Sequence, residues 1–417
     1  MTGTLEAPTH SRVFRGWIVL AGTFVIMTIG SGFAFYAQGV FLDAFVDEQG
    51  FSVGMAGAGT GFFFLVSGIA GYFAGGLISR FDIRAVMTSG VTIASIGIYL
   101  LGEVRSVWQM FAVFMVYGTG YALTGLVPAT SLVTRWFHVK RSIALSIAST
   151  GLSVGAIAVT PIIAQLIDAE SLVELAPRLA VAFWLGMVPV ILLIIRPSPE
   201  ALGLLPDGAP AVPGQPTAST ESVPAGQKGT PFAEAVRTRY FRYMSAGFIL
   251  IMGAQVGAIQ HIFKLTKDQI DVDAASLALI VVAGASVCAR LAGGVAATRF
   301  PLRLLTSTLV VVQAVGISII GLAEQRLAIL IGVVILGIAM GNLLMLHPLL
   351  LADAFGVREY PRIYGLGSLL MVIGVGLGPF VVGILRDASD YRTAFLVMAV
   401  TALVGLGIYR AAGEPPD

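Results

Sequence analysis

Apolar residues occur in long runs along the chain, and short polar or charged stretches separate one run from the next. Twelve of these runs reach the roughly 20 residues that a helix needs to cross a bilayer core. Several have no polar side, which favours helices that face lipid or neighbouring helices all round. The predicted spans cover residues 16–40, 52–78, 85–103, 107–133, 142–167 and 177–196 in a first group, and 241–263, 274–298, 304–323, 326–352, 361–385 and 392–411 in a second.

The two groups are separated by a segment of different composition, from Pro197 to Thr230, in which prolines alternate with Gly, Ser and Ala. A segment of this kind cannot form a packed core and predicts a flexible linker. We therefore expect an all-α integral membrane protein with two six-helix bundles. The predicted domains are residues 1–196 and 231–417, joined by a cytoplasmic linker at 197–230.

The two halves repeat a loop motif with the pattern Gly, three residues, Ser or Thr, Arg-Phe, two residues, Arg. It follows the second and the eighth span at one constant offset, with key positions Gly75, Arg80 and Arg84 in one half and Gly294, Arg299 and Arg303 in the other. A second echo, at nearly the same offset, pairs Gly151-x-x-x-Gly155 with Gly374-x-x-x-Gly378. Two pseudo-symmetric six-helix halves indicate the major facilitator fold, whose substrate site lies between the halves near the midplane. Glycines of the loop motif are expected to allow close helix crossing.

The composition excludes several classes of protein. Only 12% of the residues are charged, against ~25% in soluble domains, and a net charge of +2 supplies no basic field for nucleic acid. The single cysteine, Cys288, excludes a disulfide framework. The sequence contains no phosphate-binding loop, metal-ligand cluster or nucleophile–base pair. We therefore expect no cofactor, no metal and no enzymatic activity.

The basic residues predict the orientation in the membrane. If both termini are cytoplasmic, 17 of the 25 Lys and Arg residues lie inside, 7 lie outside, and Arg290 remains within a span. This asymmetry has the sign that the positive-inside rule requires. We expect a multi-pass monomer of the cell inner membrane, in contact with the lipid bilayer.

Several segments resemble a known family. The first loop is similar to the loop signature of the major facilitator superfamily, although Ser79 replaces its usual aspartate. Arg135-Trp-Phe-x-x-Lys140-Arg141-Ser-x-Ala144 and Gly378-Pro379-x-x-x-Gly383-x-x-x-Asp387 resemble the monocarboxylate-transporter and oxalate/formate-antiporter branch. The resemblance implies a secondary transporter that moves a small organic anion, a monocarboxylate, by alternating access in symport with H⁺. The basic residues of these motifs are expected to act in gating or topology: Arg80, Arg135, Lys140, Arg141 and Arg299.

One charged side chain lies deep within a predicted span. Arg290 is about eight residues, or roughly 12 Å, from the cytoplasmic end of the eighth span. An arginine at this depth is costly unless it faces a cavity or a partner, and its planar fork suits a carboxylate. In the branch that the chain resembles, an arginine here binds the substrate carboxylate, whereas the alternative is an arginine satisfied by helix carbonyls. One cation compensates a monoanion better than a dianion, which disfavours oxalate.

Other polar side chains within the spans are candidates for the substrate pathway, with helix packing as the competing interpretation. Three in span four share one helix face, and the others lie in spans one and ten. The candidates are Tyr117, Tyr121 and Thr124, then Tyr36 and Gln38, then Asn342 and His347.

Proton coupling requires a group that titrates near neutral pH. His261 and His347 qualify by their ordinary pKa, although His261 could equally be solvated or capping a helix at the outer end of span seven. Asp353 is a third candidate, unless it pairs with Arg358, and the proton could also travel with the substrate as a neutral acid. Rival functions are transport of a larger neutral or weakly acidic compound, such as an aromatic acid, drug or vitamin, and a non-transporting receptor.

Overall fold

The computed structural model describes residues 14–137, 140–202, 204–205, 207, 230–356 and 359–415. Within this part of the chain, twelve helices are long and apolar enough to cross a membrane, which confirms the predicted number. The first six are α1 (Arg15–Asp47), α2 (Val53–Arg80), α3 (Ile83–Leu101), α4 (Val107–Trp136), α5 (Arg141–Ala158 continued by Thr160–Glu170) and α6 (Leu172–Leu193). The second six are α7 (Arg239–Gln269), α8 (Val272–Arg299), α9 (Leu302–Leu322), α10 (Arg326–Phe355), α11 (Tyr360–Ala388) and α12 (Tyr391–Ala411).

Several helices extend beyond their apolar runs. The predicted end of the first span, near residue 40, is wrong, because α1 continues to Asp47. Likewise α7 continues past residue 263 to Gln269. Both extensions carry charged side chains that pair with one another, so these polar turns remain helical although hydropathy alone would end them.

The helix boundaries repeat with the same offset as the loop motif. Helices α2 to α6 have α8 to α12 as their counterparts in the second half. The start of each counterpart follows by the same number of residues that separates the two loop motifs. The caps repeat too, because Ser52 and Asp271 each accept a hydrogen bond from the backbone N–H three residues further on. The two halves therefore share one architecture, as the major facilitator fold requires.

The Gly-x-x-x-Gly echo marks equivalent helix crossings. A Cβ added to Gly155 on α5 would stand 2.4 Å from the carbonyl oxygen of Thr28 on α1. A Cβ added to Gly378 on α11 would stand 2.1 Å from the carbonyl oxygen of Gly253 on α7. Glycine at these positions lets the helix backbones approach closely.

The halves meet at one end of the bundle and separate toward the other. We call the end that carries Arg15 and Ala411 the terminal face, and the opposite end the distal face. Between α2 and α11, close approaches run from the distal face to Gly68, whose added Cβ would meet Val372 at 2.4 Å. Nearer the terminal face, a Cβ added to Gly75 or Gly365 would meet open space, so in this conformation Gly75 lies at no close crossing. The bundle is closed distally and parted on the terminal side.

Replacing Gly378 with alanine is expected to lower the melting temperature of the purified protein by several degrees. The added methyl would overlap the Gly253 carbonyl, and overpacking of this kind costs about 1–3 kcal/mol. Gly407→Ala is the matched control, because a Cβ at Gly407 on α12 meets open space and alanine favours a helix by up to ~1 kcal/mol. Equal melting temperatures for the two variants would contradict the close crossing.

Candidate functional site

Arg290 on α8 lies at the interface between the two halves. Its Nε donates to the Gly341 carbonyl oxygen on α10 at 3.2 Å. Nη1 donates to the carbonyl oxygen of Ser149, in the other half, at 3.4 Å, and Nη2 to Ser286 Oγ at 3.4 Å. The side chain is half-buried and lies about 13 Å of helix from Arg299. The near edge of the guanidinium is therefore held by its own half, while its two terminal nitrogens have long, weak bonds.

The first half places the Tyr36 side chain near Arg290. A π-helical turn, Gly32–Tyr36, interrupts α1, and Tyr36 at its end interacts electrostatically with Arg290. Tyr121 on α4 lies near Tyr36 in turn. Ser153 on α5 is fully buried and lies beside the Tyr36 hydroxyl. Tyr36 is thus the hydroxyl-bearing side chain that interacts with Arg290 from the first half, and Tyr121 and Ser153 lie around Tyr36.

Two of the span-four candidates have partners in the backbone of their own half. The Tyr117 hydroxyl is buried and donates to the Phe33 carbonyl oxygen at 2.8 Å, which holds the π-helical turn of α1. The Thr124 hydroxyl donates to carbonyl oxygens one turn earlier in α4. Both side chains therefore stabilise helix geometry, whereas Tyr121 is half-buried and lies on the side of Tyr36.

The amides of Gln38 and Asn342 have different surroundings. Gln38 on α1 is fully buried, and within the described chain neither of its amide atoms has a hydrogen-bond partner. The Asn342 Nδ2 atom donates to the carbonyl oxygens of Ala289 at 3.1 Å and Ile338 at 3.0 Å. Asn342 thus links α10 to α8 one residue before Arg290.

The three candidates for proton coupling differ in their burial and in their hydrogen bonds. His261 is buried rather than solvated, and its ring nitrogens bond the Tyr391 hydroxyl at 3.3 Å and the Pro379 carbonyl oxygen at 2.9 Å. His347 is 1% exposed, packs against Phe248, and has no partner for either ring nitrogen in the part of the chain described. Asp353 is exposed near the terminal face, and Arg358 lies outside the described residues.

The basic motif residues lie toward the terminal face, and several of them contact their own half. Arg80 and Arg299 are exposed at the ends of α2 and α8. Asp82 caps α3, and its ion pair with Arg84 at 2.9 Å holds the pKa of the Asp82 carboxyl below its ordinary value. Arg135 donates to the carbonyl oxygen of Ile78, Lys140 lies over the ring of Trp17, and Arg303 donates to the carbonyl oxygen of Arg410. Arg141 begins α5, and Gly294 lies within α8.

Charged side chains close the distal face across the two halves. Lys264 Nζ on α7 lies 3.1 Å from Asp43 Oδ1 and 2.5 Å from Asp47 Oδ1 on α1. Lys267 Nζ lies 2.8 Å from Asp43 Oδ2 and 3.4 Å from Asp168 Oδ1 on α5. Lys264 and Asp43 are each only 4% exposed, so separation of this cluster would leave charges without partners in a low-dielectric region.

A second distal contact joins a carboxylate to a helix end. Asp387 on α11 accepts hydrogen bonds from the backbone N–H groups of Val53 and Gly54 at 3.1 and 2.6 Å. These groups form the N-terminus of α2, in the other half, where unpaired N–H groups and the helix dipole favour an anion. Asp387 therefore acts as a helix cap that crosses the interface.

The distal contacts and the serines beside Arg290 are not among the residues that the sequence predicts. Helical spacing offered a signal for some of them. Asp43 and Asp47 are four residues apart on α1, and Lys264 and Lys267 are three apart on α7, so each pair shares a helix face. No pattern within either half shows which residues of the other half lie opposite.

The sequence matches the Major Facilitator Superfamily over residues 24–341 and 244–417. The chain belongs to this superfamily, and it is by class a multi-pass membrane transporter. This assignment agrees with the twelve-helix architecture and with the interface between the two halves.

Several known proteins are similar to this chain. Monocarboxylate transporter 11 of Mus musculus is 26% identical and monocarboxylate transporter 13 of Rattus norvegicus is 25% identical, each over 349 residues. These alignments cover 80% of this chain and 73% and 74% of the two relatives. A solved structure of a bacterial homologue of the human lysosomal transporter Spinster, inward-facing and occupied, has the same fold. Its TM-score is 0.71 at 16% identity, over 98% of both chains.

Replacing Asp387 with asparagine is expected to shift the protein toward a distally open conformation, because a neutral amide is a weaker acceptor for the two N–H groups of α2. Spin labels on cysteines introduced at the exposed distal positions Glu103 and Glu324, in a Cys288→Ser background, would report a longer distance component. Asp390→Asn is the matched control, since the Asp390 carboxylate caps α12 within its own half. A distance distribution unchanged by Asp387→Asn would contradict a closing role for this cap.

Proposed function

We propose that this chain is a secondary transporter of a small monocarboxylate anion, which binds Arg290 between the two halves and crosses by alternating access. The observation that carries the proposal is the bonding of Arg290. Its Nε is occupied by a helix carbonyl, and both terminal nitrogens have bonds of 3.4 Å. A carboxylate offers two oxygens with the geometry of this fork and forms shorter, charge-assisted bonds.

The surroundings of Arg290 favour a monoanion. Among the described residues, Tyr36 interacts with Arg290, and Tyr121 and Ser153 lie around Tyr36, whereas no second cation interacts with Arg290. A dianion would therefore leave one charge uncompensated in a membrane-spanning bundle. The monocarboxylate transporters among the similar proteins support the same class of substrate.

The closed distal face and the parted terminal face suit one state of an alternating-access cycle. The excess of Lys and Arg on the terminal side favours a cytoplasmic location for both termini in the cell inner membrane. In that orientation the conformation is inward-facing, and substrate would reach Arg290 from the cytoplasm. Reopening of the distal face requires release of the Lys264 cluster and of the Asp387 cap.

We assign proton coupling to His347. Its two ring nitrogens are buried without partners among the described residues, whereas both nitrogens of His261 are bonded. Asp353 is exposed to solvent rather than buried between the helices. A proton on His347 would accompany the anion through the cycle and make the transport a symport.

Arg290→Lys is expected to reduce carboxylate uptake by at least about tenfold, because an ammonium group cannot bind both carboxylate oxygens as a fork does. The measurement is uptake of radiolabelled acetate, pyruvate, lactate and benzoate into proteoliposomes, with and without a pH gradient. Arg326→Lys, at an exposed arginine that begins α10, is the matched control. Normal uptake by Arg290→Lys, or transport of neutral compounds alone, would refute the carboxylate site.

His347→Gln is expected to abolish accumulation driven by a pH gradient while exchange of labelled for unlabelled substrate continues, since exchange needs no net proton movement. Tyr364→Phe is the control, because it keeps the aromatic neighbour of His347 and removes only a hydroxyl. Accumulation that persists in His347→Gln would mean that the proton travels with the substrate as a neutral acid.

A further inference from the structure

We propose that Asn342 and Gly293 are positioning residues for Arg290. They lock α8 against α10 so that the terminal nitrogens of the guanidinium face the interface between the halves. The part of this inference that concerns substrate rests on the proposed function. The positioning of Arg290 by Asn342 and Gly293 is independent of it.

Two successive residues of α10 hold the arginine. The Gly341 carbonyl oxygen accepts from Arg290 Nε at 3.2 Å. The next residue, Asn342, donates from Nδ2 to the carbonyl oxygen of Ala289, the residue before Arg290, at 3.1 Å. One bond fixes the guanidinium, and the other fixes the rotation of the helix that carries it. Together they leave only Nη1 and Nη2 for a ligand.

Gly293 makes room for this arrangement. A Cβ at Gly293 would stand 1.5 Å from Asn342 Oδ1, so an alanine there would expel the amide from its place between the helices. A Cβ at Gly341 would stand 2.3 Å from the Ser286 carbonyl oxygen. The two backbones therefore approach closely on both sides of the Asn342 side chain.

The first half shows the same crossing without an arginine. On α10, a Cβ added to Gly337 would lie 2.7 Å from the carbonyl oxygen of Val282. At the equivalent position on α4, a Cβ added to Gly118 would lie 2.9 Å from the carbonyl oxygen of Phe63 on α2. The two crossings thus approach equally closely at this pair of positions.

The side chains of the two halves differ at the level of Arg290. Under the offset of the repeat, the positions of Arg290, Gly293 and Asn342 correspond to Gly71, Ala74 and Leu123 of the first half. Ala74 and Leu123 are buried apolar side chains, and Leu123 lies at a turn that interrupts α4, where its Cβ approaches Gly90 on α3. Of the two halves, only the one that contains Arg290 has the polar amide and the glycine that accommodates it. We therefore assign Asn342 and Gly293 to positioning of the arginine rather than to packing or direct substrate contact.

The repeat supplies the test substitutions. The double variant Asn342→Leu with Gly293→Ala installs the side chains of the first half, and its melting temperature reports whether this crossing accepts them. Asn342→Ala alone is a second, smaller change, for use if the double variant melts at a lower temperature than the wild type. Gly284→Ala with Leu344→Ala, on the same two helices, is the control, because Gly284 faces open space and Leu344 is exposed.

The positioning readout is the Nε–H resonance of Arg290 in protein labelled with ¹⁵N-arginine, identified by its absence in Arg290→Lys. We expect faster solvent exchange of this N–H in the Asn342 variants and no change in the control. The functional readout is pyruvate uptake, for which we expect KM to rise about tenfold with little change in maximal rate.

The outcomes separate the two proposals. An unchanged Nε–H resonance in the Asn342 variants would overturn the positioning role, whatever the protein carries. A changed resonance with unchanged KM would overturn its relevance to substrate binding. If the wild type transports no carboxylate, the proposed function fails, and the resonance alone decides whether Asn342 and Gly293 position Arg290.

Discussion

The cost of an uncompensated charge inside a membrane-spanning bundle shapes the rest of this structure. Arg290 is tolerable within α8 because carbonyl oxygens and a serine hydroxyl surround its guanidinium. Lys264 and Asp43 are tolerable at the distal face because each lies against an opposite charge from the other half. In both places the compensating groups come partly from across the interface. Any movement of one half against the other therefore changes how these charges are satisfied.

Close backbone approach makes such compensation available. Carbonyl oxygens of one helix can accept from side chains of another only where the two helices touch, and glycines permit this at Gly341 beside Ser286 and at Gly378 beside Gly253. The abundance of glycine in the chain thus has two effects. It tightens each bundle, and it exposes carbonyl oxygens to side chains such as Arg290 and His261.

Much of this architecture follows from the sequence, because hydropathy, repeat spacing and charge asymmetry are local or periodic properties. The twelve helices and the constant offset between the halves could be read in that way, and so could the isolation of Arg290 within a span. The hydrogen-bond partners of individual side chains could not be predicted from the sequence, since they depend on helix rotation and on which residues of the other half lie opposite. Tyr117 and Thr124 share a face with Tyr121, yet their hydroxyls bind backbone carbonyls. Likewise His261, placed by sequence near an outer end, is buried because α11 and α12 cover it.

The distal cap has a consequence for how closure can be tuned. Asp387 contacts backbone N–H groups of α2 rather than a side chain, so substitution in the first half cannot remove its donors unless it introduces proline. Natural variation can therefore alter the strength of this contact chiefly from one side, by changing the residue at position 387. Such an arrangement leaves the side chains at the start of α2 free to change while the distal contact is kept.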